Sequence, residues 1–356
     1  MKRASVSALI LRSTVLLAFT SNLALAQKIT TFDVPNGIAT TPTAISPAGE
    51  VIGYYGEPSI VAVRGFMRSP NGTTASFDAP SSTYTIPMSI SPLGQITGFY
   101  QVSSGDSTVQ SGFVRNLNGT MTTFSVPGQT VTSPQGINLW GEIVGYWVDA
   151  VNVSHGFVRT PDGTVTIFDG SSSGSLGTIA LAVNIFGEST GYYDDENNVR
   201  HGFVRQAGGT IGSFDVSSAT LTAPVDINIF GQVAGYYEDA NQVSHGFLRQ
   251  ANGNIITFDV EGATDTVPVA INDRGQISGH YTGSNSEIQG FVREVNGTIQ
   301  TFTVPNSSGT VPTAMSALGQ VAGVYFDSNG DQHGFVTGIF ESPEIVNRRF
   351  SSLEPR

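Results

Sequence analysis

The chain has 356 residues, no cysteine, 42 glycines, and 28 acidic against 16 basic residues. Without cysteine it forms no disulfide and no thiolate metal centre. The excess of acidic residues argues against nucleic acid or an anionic membrane surface as a partner, because phosphate binding needs a basic surface. Few charged residues and abundant glycine are typical of many short strands joined by tight turns.

Residues 1–26 have the pattern of a secretory signal peptide. Lys2 and Arg3 precede an apolar stretch, and Ala24-Leu25-Ala26 is a small-x-small cleavage site. We therefore expect cleavage before Gln27 and a secreted, periplasmic or extracellular location. The mature chain would keep 13 basic and 28 acidic residues. No later segment has an apolar run long enough to span a membrane.

Seven repeats, here called units 1 to 7, cover residues 27–338, and residues 339–356 form a C-terminal tail outside the repeat. The repeats follow one another at steps of 44 to 47 residues. One marker is a Gly-Phe pair, which occurs at Gly65, Gly112, Gly156, Gly202, Gly246, Gly290 and Gly334. Another is a turn glycine, at Gly49, Gly94, Gly141, Gly187, Gly231, Gly275 and Gly319.

Each unit contains four strand-like runs, which predict one four-stranded antiparallel sheet. In unit 5, Asn228 and Gly231 mark the first turn, and Asn252-Gly253 marks a hairpin between the third and fourth strands. Such a repeat is typical of β-propellers, because stacked sheets bury both faces of their neighbours and a closed ring has no end. The sequence therefore predicts an all-β, seven-bladed β-propeller of four-stranded antiparallel blades.

The phase of the repeat predicts how the ring closes. A lone fourth strand, residues 29–34, begins the mature chain, and unit 7 ends after its third strand, residues 333–337. Pairing of these two strands would complete the last blade and cover an open edge. An alternative phase without this clasp fits the count of repeats but places the link between units inside a blade.

The first strand of each unit carries a further pattern. Six of the seven first strands contain a proline, and a small residue follows two positions later. Small side chains suit innermost strands that converge on an axis. Asp226 in unit 5 breaks this rule.

The motifs Gly-Tyr-Tyr, His-Gly-Phe-Val-Arg and Thr-Phe-Asp together resemble the HAF-repeat extracellular proteins of bacteria. These proteins carry His-Ala-Phe where this chain has His-Gly-Phe, at His155, His201, His245 and His333, and three units here lack the histidine. The resemblance covers nearly all of residues 28–337. It implies export and a repeat fold, and it implies no catalytic residues.

Side chains that recur in most units are predicted to have a structural role, since a catalytic site needs residues that differ from one unit to the next. We expect the four repeat histidines to bond a nearby backbone group or carboxylate and not to share a metal ion. An arginine such as Arg159 lies two residues after six of the seven Gly-Phe pairs, and an aspartate such as Asp169 follows five of the fourth-strand phenylalanines. Because the two lie on adjacent strands of one hairpin, we expect an ion pair between them. Each unit also contains a glycine followed by two mostly aromatic residues. We expect the second of these, such as Trp147 and Tyr237, to pack in the core or, alternatively, to stack on a sugar.

Departures from the repeat are the candidate ligand-binding positions. They are Asp226, His280, Arg64, Arg200, Arg274 and Trp140. Together with Trp147 and Tyr237, four of these (Asp226, His280, Arg274 and Arg200) make up the predicted ligand-binding set.

One loop resembles the start of a calcium-binding loop. Asp327, Asn329 and Asp331 place oxygens at positions one, three and five, but Gln332 replaces the glycine at position six. The same segment is also a natural polar hairpin. Calcium is the one cofactor that the sequence suggests.

No nucleophile elbow, phosphate loop or zinc motif is present, so the sequence favours a secreted binding module for carbohydrate or protein. Two alternatives stay open. One is a lyase or hydrolase that uses carboxylate and histidine at the channel mouth, and the other is a structural envelope protein. Clustering of Asp226, His280 and an arginine at one mouth would favour the enzyme, and dispersal over both faces would favour binding.

Overall fold

The computed structural model describes residues 28–58, 62–105, 107–170 and 176–340. The predicted signal peptide and residues 341–356 lie outside these ranges. The described residues form 28 strands and no helix. Accordingly, they contain no helix long and apolar enough to cross a membrane.

The strands occupy four equivalent positions in the repeat. The first strands are β2 (Ile38–Ile45), β6 (Tyr84–Ile90), β10 (Val131–Ile137), β14 (Gly177–Val183), β18 (Leu221–Ile227), β22 (Ala263–Ile271) and β26 (Gly309–Met315). The second strands are β3 (Val51–Gly56), β7 (Ile96–Ser104), β11 (Ile143–Val148), β15 (Ser189–Asp194), β19 (Val233–Glu238), β23 (Ile277–Gly283) and β27 (Gln320–Phe326).

The third strands are β4 (Val63–Arg68), β8 (Ser107–Arg115), β12 (Ser154–Arg159), β16 (Arg200–Arg205), β20 (Ser244–Arg249), β24 (Ile288–Arg293) and β28 (Gln332–Ile339). The fourth strands are β5 (Thr74–Phe77), β9 (Met121–Phe124), β13 (Val165–Phe168), β17 (Ile211–Phe214), β21 (Ile255–Phe258), β25 (Ile299–Phe302) and β1 (Ile29–Phe32). Within each unit, consecutive strands pair antiparallel, as in β18-β19-β20-β21.

The two ends of the repeat region meet in one sheet. β1 pairs antiparallel with β28, with Phe32 opposite Gly334 and Ile29 opposite Thr337. This pairing is the one that the phase of the repeat predicts. β28 continues to Ile339, and Phe340 is buried against Phe302, so the packed structure runs past the predicted boundary at residue 338.

Phenylalanine rings fill the space between neighbouring units. The phenylalanine of each Gly-Phe pair has no exposed surface, as at Phe157 and Phe247. Phe124 of unit 2 meets Phe157 of unit 3 edge to face, with ring centroids 6.3 Å apart. The same contact recurs between Phe214 and Phe247 at 6.0 Å. Each unit therefore completes its core only against the next one.

The glycine of the Gly-Phe pair makes room for the fourth-strand phenylalanine. A Cβ atom at any of the seven glycines would lie 2.5 to 2.9 Å from a carbon of that ring, as between Gly246 and Phe258. Such a distance is too short for carbon atoms that are not bonded. This contact explains why the chain carries glycine at these seven positions.

Candidate functional site

The antiparallel order of the strands gives the molecule two faces. The turns between first and second strands and the hairpins between third and fourth strands lie on one side, here called the turn face. The loops between second and third strands and the links between units lie on the other side, here called the loop face. Backbone carbonyls of one turn accept hydrogen bonds from the turn before it, which places the turns side by side.

An axial cavity of about 260 Å³ runs between the first strands. Residues from all seven first strands line it, including Ala44, Ser89, Ala182, Asp226 and Ala314. These are the positions two residues after the recurring first-strand proline or its equivalent in unit 4, and six of the seven units carry a small residue there. Their small size leaves space where the strands converge.

Asp226 is the only acidic or basic residue among the described residues that line this cavity. Its Oδ1 atom accepts a hydrogen bond from its neighbour Ile227 N at 2.8 Å, and its Oδ2 atom accepts one from Ile271 N of the next unit at 2.9 Å. Burial raises the pKa of Asp226 to about 7, and the nearby charge of Asp273 adds to this effect, although the two hydrogen bonds oppose it. The side chain therefore titrates near neutral pH.

Large apolar side chains recur at one position of the repeat on the turn face. They occupy the position just before the turn glycine, are 41 to 65% exposed, and are called here the apolar ring: Leu93, Trp140, Phe186, Phe230 and Leu318. Ala48 and Arg274 hold the same position in units 1 and 6. Exposed apolar patches of this kind mark interaction surfaces.

Hydrogen bonds hold the apolar ring in place. Trp140 Nε1 donates to Ile185 O of the next turn at 2.9 Å, and Arg274 Nη1 donates to Leu318 O at 3.1 Å. Beneath them, buried asparagine amides link successive units, as where Asn184 Nδ2 donates to Asn228 O at 3.1 Å. The apolar side chains thus project from turns that are hydrogen-bonded to one another.

On the loop face, the four repeat histidines bond carboxylates, as predicted. His155 Nδ1 lies 2.8 Å from Asp169 Oδ1, and its other nitrogen lies 3.5 Å from Asp149 Oδ2. His155 also stacks on Trp147, with ring centroids 4.4 Å apart. The same arrangement recurs around His201, His245 and His333. It is a structural device of the repeat.

Stacked histidines restrict access to Trp147 and Tyr237, the two aromatic residues of the predicted ligand-binding set. Trp147 is only 8% exposed, and Tyr237 stacks on His245 with centroids 5.0 Å apart. A histidine therefore covers one face of each ring. This geometry favours the packing role that the sequence left open for these two residues.

The predicted ion pair between the repeat arginine and aspartate is wrong. The register places Arg159 opposite Val165, at one end of the β12–β13 hairpin, whereas Asp169 lies beyond the other end beside His155. The arginine instead stacks on the fourth-strand phenylalanine of the preceding unit, with Arg159 Cζ 4.7 Å from the Phe124 ring centroid. The contact is a cation–π interaction between units.

Units without the histidine keep a polar pair at the same place. In unit 1, Arg64 replaces the histidine and forms ion pairs with Glu57 and Asp78, the latter at 2.7 Å. In unit 2, Ser111 bonds Ser125 at 2.8 Å. Arg64, a departure in the sequence, is thus a substitute for the repeated histidine.

The calcium candidate lies in a loop whose geometry recurs in other units. Asp327 Oδ1 accepts hydrogen bonds from the backbone N–H groups of Asn329 at 2.8 Å and Asp331 at 2.9 Å. Asp149, Asp195 and Asp239 form the same turn. The described residues contain no group of three or more His, Cys, Asp or Glu residues suited to a metal ion. Calcium binding by Asp327, Asn329 and Asp331 stays a prediction.

Arg200 lines a cleft of about 500 Å³ between units 4 and 5 on the loop face. Its Nε atom donates to Asp194 Oδ1 at 3.0 Å, and its Cζ atom lies 3.9 Å from the Tyr192 ring centroid. Burial lowers the pKa of Arg200, but the hydrogen bond to Asp194 and nearby charges outweigh burial and raise it. The guanidinium therefore stays charged at every physiological pH.

His280 lies half-buried on β23, away from both of these sites. Burial lowers its pKa, and the charge of Asp265 only partly offsets this effect. Its Nδ1 atom is buried, with no hydrogen-bond partner among the described residues. His280 is therefore neutral at pH 7.

The structure does not bring the predicted ligand-binding residues together. Asp226 lines the axial cavity, Arg274 lies on the turn face, Arg200 lies in a cleft of the loop face, and His280 lies inside the sheet stack. Trp140 was identified from the sequence as a departure from the repeat, whereas Leu93, Phe186, Phe230 and Leu318 were not. Their signal was an apolar residue just before a turn glycine, where polar residues are usual.

No protein-family model and no curated protein matches the chain. Solved structures that resemble it include the β-propeller domain of the Trilobed protease from Pyrococcus furiosus, with a TM-score of 0.59 and 8% identity over 84% of this chain and 95% of that one. A structure of prolyl endopeptidases gives a TM-score of 0.58 at 12% identity, over 89% of this chain and 47% of that one. The acylaminoacyl peptidase of Pyrococcus horikoshii gives 0.54 at 8%, over 87% and 54%.

The chain spans about half the length of these two peptidases. At such low identity the likeness shows the fold alone. The chain has an all-β fold similar to that of β-propeller domains.

Proposed function

We propose that this chain is a secreted seven-bladed β-propeller that binds an extracellular protein through the apolar ring of its turn face. The observation that carries the proposal is the ring itself, in which five of seven equivalent turns expose a large apolar side chain. Exposure of such side chains to water has no benefit for folding. A partner that covers them would gain the free energy of their burial.

Contacts between the first and last units support a closed ring of seven blades. Thr313 Oγ1 of unit 7 donates to Pro42 O of unit 1 at 2.8 Å, and Thr43 Oγ1 donates to Pro87 O of unit 2 at the same distance. Unit 7 thus meets unit 1 as unit 1 meets unit 2. In this arrangement β1 is the clasp that completes the seventh blade.

The chemistry around the ring favours a protein over a carbohydrate. Sugar recognition needs polar groups that are free to bond hydroxyls. Here the Trp140 indole N–H is bound to Ile185 O, and the nearby carboxylates of Glu142 and Glu188 accept hydrogen bonds from Asn138 and Asn184. What remains accessible is mainly apolar surface, which suits an apolar protein patch.

The dispersal of the titratable candidates supports binding over catalysis. A hydrolase or lyase needs an acid, a base and a charge-stabilising group within reach of one substrate. Asp226, His280 and Arg200 lie in three different places. The enzyme alternative therefore has no assembled site in the described residues.

A site-specific crosslinking experiment tests this function. A photoreactive amino acid would replace Phe186 or Phe230 in the full-length protein, which would be expressed and exported by its native host. We expect one crosslinked protein of defined mass from both positions. The same probe at Glu196, on the loop face, is the matched control and should give no such product.

A second variant separates surface loss from misfolding. Phe186→Ser/Phe230→Ser should keep the melting temperature within about 2 °C, because both side chains are mostly exposed, and should abolish the adduct formed from a probe at Trp140. Equal labelling from both faces, or an adduct that survives the double substitution, would show the proposal to be wrong. Sedimentation velocity would reveal whether the partner is a second copy of the chain, which would support the structural alternative.

A further inference from the structure

We propose that the cleft between units 4 and 5 on the loop face binds a neutral saccharide unit. The cleft has a volume of about 500 Å³, within the range of small-molecule pockets of roughly 300–1,000 Å³. Asp194, Asn198 and Arg200 of unit 4 line one wall, and Glu238 and Gln242 of unit 5 line the other. It lies on the face opposite the apolar ring, so this inference is independent of the proposed function.

Among the described residues, no hydrogen bond joins the start of the third strand, β16, to the first strand of the next unit, β18. At three boundaries the start of the third strand forms a parallel bridge with the next first strand, as between Ser154 and Gly177. At the boundary between units 7 and 1, Gln332 Nε2 donates to Thr41 Oγ1 at 2.6 Å. Arg200 holds the equivalent place in unit 4, but it folds back onto Asp194 and Tyr192. With Arg200 in this position, the cleft between units 4 and 5 stays open.

The walls of the cleft offer both hydrogen-bond donors and acceptors. Arg200 uses Nε and Nη2 to bind Asp194, so in the described structure its Nη1 group stays free to donate. The side-chain amides of Asn198 and Gln242 have no partner among the described residues, and each can donate and accept. The Glu238 carboxylate, likewise without a side-chain partner in this part of the chain, can only accept. Vicinal hydroxyl groups, each both donor and acceptor, match such a set.

The charges in and around the cleft disfavour an anionic ligand. Asp194 and Glu238 line the cleft itself, and the adjacent loops add Asp195, Glu196 and Asp239. This negative surround repels an anion. Leu221 and Ala240 add small apolar patches that suit the C–H face of a sugar ring. A neutral, hydroxyl-rich molecule matches these apolar patches together with the donors and acceptors of the walls.

Ligand-observed NMR tests this inference on the mature protein. The probes would be glucose, galactose, mannose, fucose and N-acetylglucosamine, each titrated to about 50 mM. We expect saturation transfer to at least one of them. Arg200→Gln and Glu238→Gln should each weaken that binding at least tenfold. A tenfold loss corresponds to about 1.4 kcal/mol, as expected for one hydrogen bond to a charged group.

Two controls make the result decisive. Arg64→Gln removes the other loop-face arginine that pairs with carboxylates, and it should leave sugar binding unchanged. Phe186→Ser/Phe230→Ser on the turn face should also leave it unchanged, which separates this site from the proposed protein-binding surface. No transfer to any of the five sugars, or equal binding by the Arg200 and Glu238 variants, would overturn the inference.

Discussion

Asp226 Oδ2 in unit 5 accepts a hydrogen bond from the backbone N–H of Ile271 in unit 6, at a distance of 2.9 Å. The carboxylate thereby joins two neighbouring first strands beside the cavity that these strands line. At the equivalent place in unit 2, Ser89 Oγ accepts from Ile137 N at 3.3 Å. In units 2 and 5 this position therefore links one first strand to the next, and of these two units only unit 5 does so with a titratable group.

The pKa of Asp226 predicts a loss of stability as the pH rises. The unfolded chain releases this proton near pH 3.8, whereas the folded protein holds it to about pH 7. Between these values the folded state binds more protons, so the free energy of unfolding decreases with increasing pH, by up to about 4 kcal/mol. Urea unfolding at pH 5, 6, 7 and 8 would measure this slope.

Asp226→Ser is the matched variant, because serine already fills this position in unit 2. It should flatten the slope between pH 5 and pH 8. Burial raises the pKa of Glu294, and hydrogen bonds to Asp215 and Asp195 raise that of His201 despite burial. Both groups contribute a slope of the same sign, but equally in the two proteins. Identical slopes would contradict a raised pKa for Asp226.

The hydrogen bonds of Asn184 allow a prediction of how much the contacts between neighbouring turns stabilise the fold. Its Oδ1 atom accepts from Phe186 N and Glu188 N, both at 3.0 Å, and its Nδ2 group donates to Asn228 O of the next unit. Asn184→Ala leaves these buried groups without partners. We expect a decrease in the free energy of unfolding of about 2–4 kcal/mol, measured by chemical denaturation.

Asn184→Ser separates the local contact from the contact between units. In unit 7, Ser316 Oγ accepts from Gln320 N at 3.0 Å, so a serine keeps a bond within the turn. The serine variant should therefore keep the bond from Glu188 N but lose the two bonds that Asn184 Nδ2 donates, to Asn228 O and Glu188 Oε2, and the bond from Phe186 N. We expect it to cost about 1 kcal/mol less than alanine. If serine and alanine cost the same, the contact within the turn contributes nothing.

The close approach of Gly246 to the Phe258 ring predicts that no larger residue fits at the glycine of the Gly-Phe pair without a cost in stability. A Cβ atom there would lie 2.7 Å from the Phe258 ring, so Gly246→Ala should displace the ring and cost about 1–3 kcal/mol. The melting temperature by calorimetry would measure the effect. The alanine variant also converts this unit to the His-Ala-Phe form of the resembling family.

A double-mutant cycle identifies the ring as the cause. Phe258→Leu alone should destabilise, because it removes contacts with Phe291, but it also frees space beside residue 246. The cost of Gly246→Ala should therefore be smaller in the Phe258→Leu background. Equal costs in both backgrounds would place the strain elsewhere.

Residues that interact within one repeat were only partly predictable. The histidine–carboxylate pairs followed from repetition and chemistry. The partner of the repeat arginine did not, because the ion-pair prediction compared adjacent strands without their register. In the structure Arg159 and Asp169 lie at opposite ends of one hairpin, and the ring that Arg159 contacts belongs to the preceding unit. A contact between two units cannot be recognised from the spacing of residues within one repeat.

The sequence by itself determined the strands, the repeat and the pairing of β1 with β28, because turn residues, alternation and phase are local properties that recur in every unit. It also marked Asp226 and Arg200 as departures from the repeat. Only the tertiary structure decided what these departures do, because it sets them at different distances from the axis and on different faces. The apolar ring depends on tertiary structure in the same way. Leu93 and Phe230 lie 137 positions apart in the chain, and only the packing of the units places both of them on the exposed turn face.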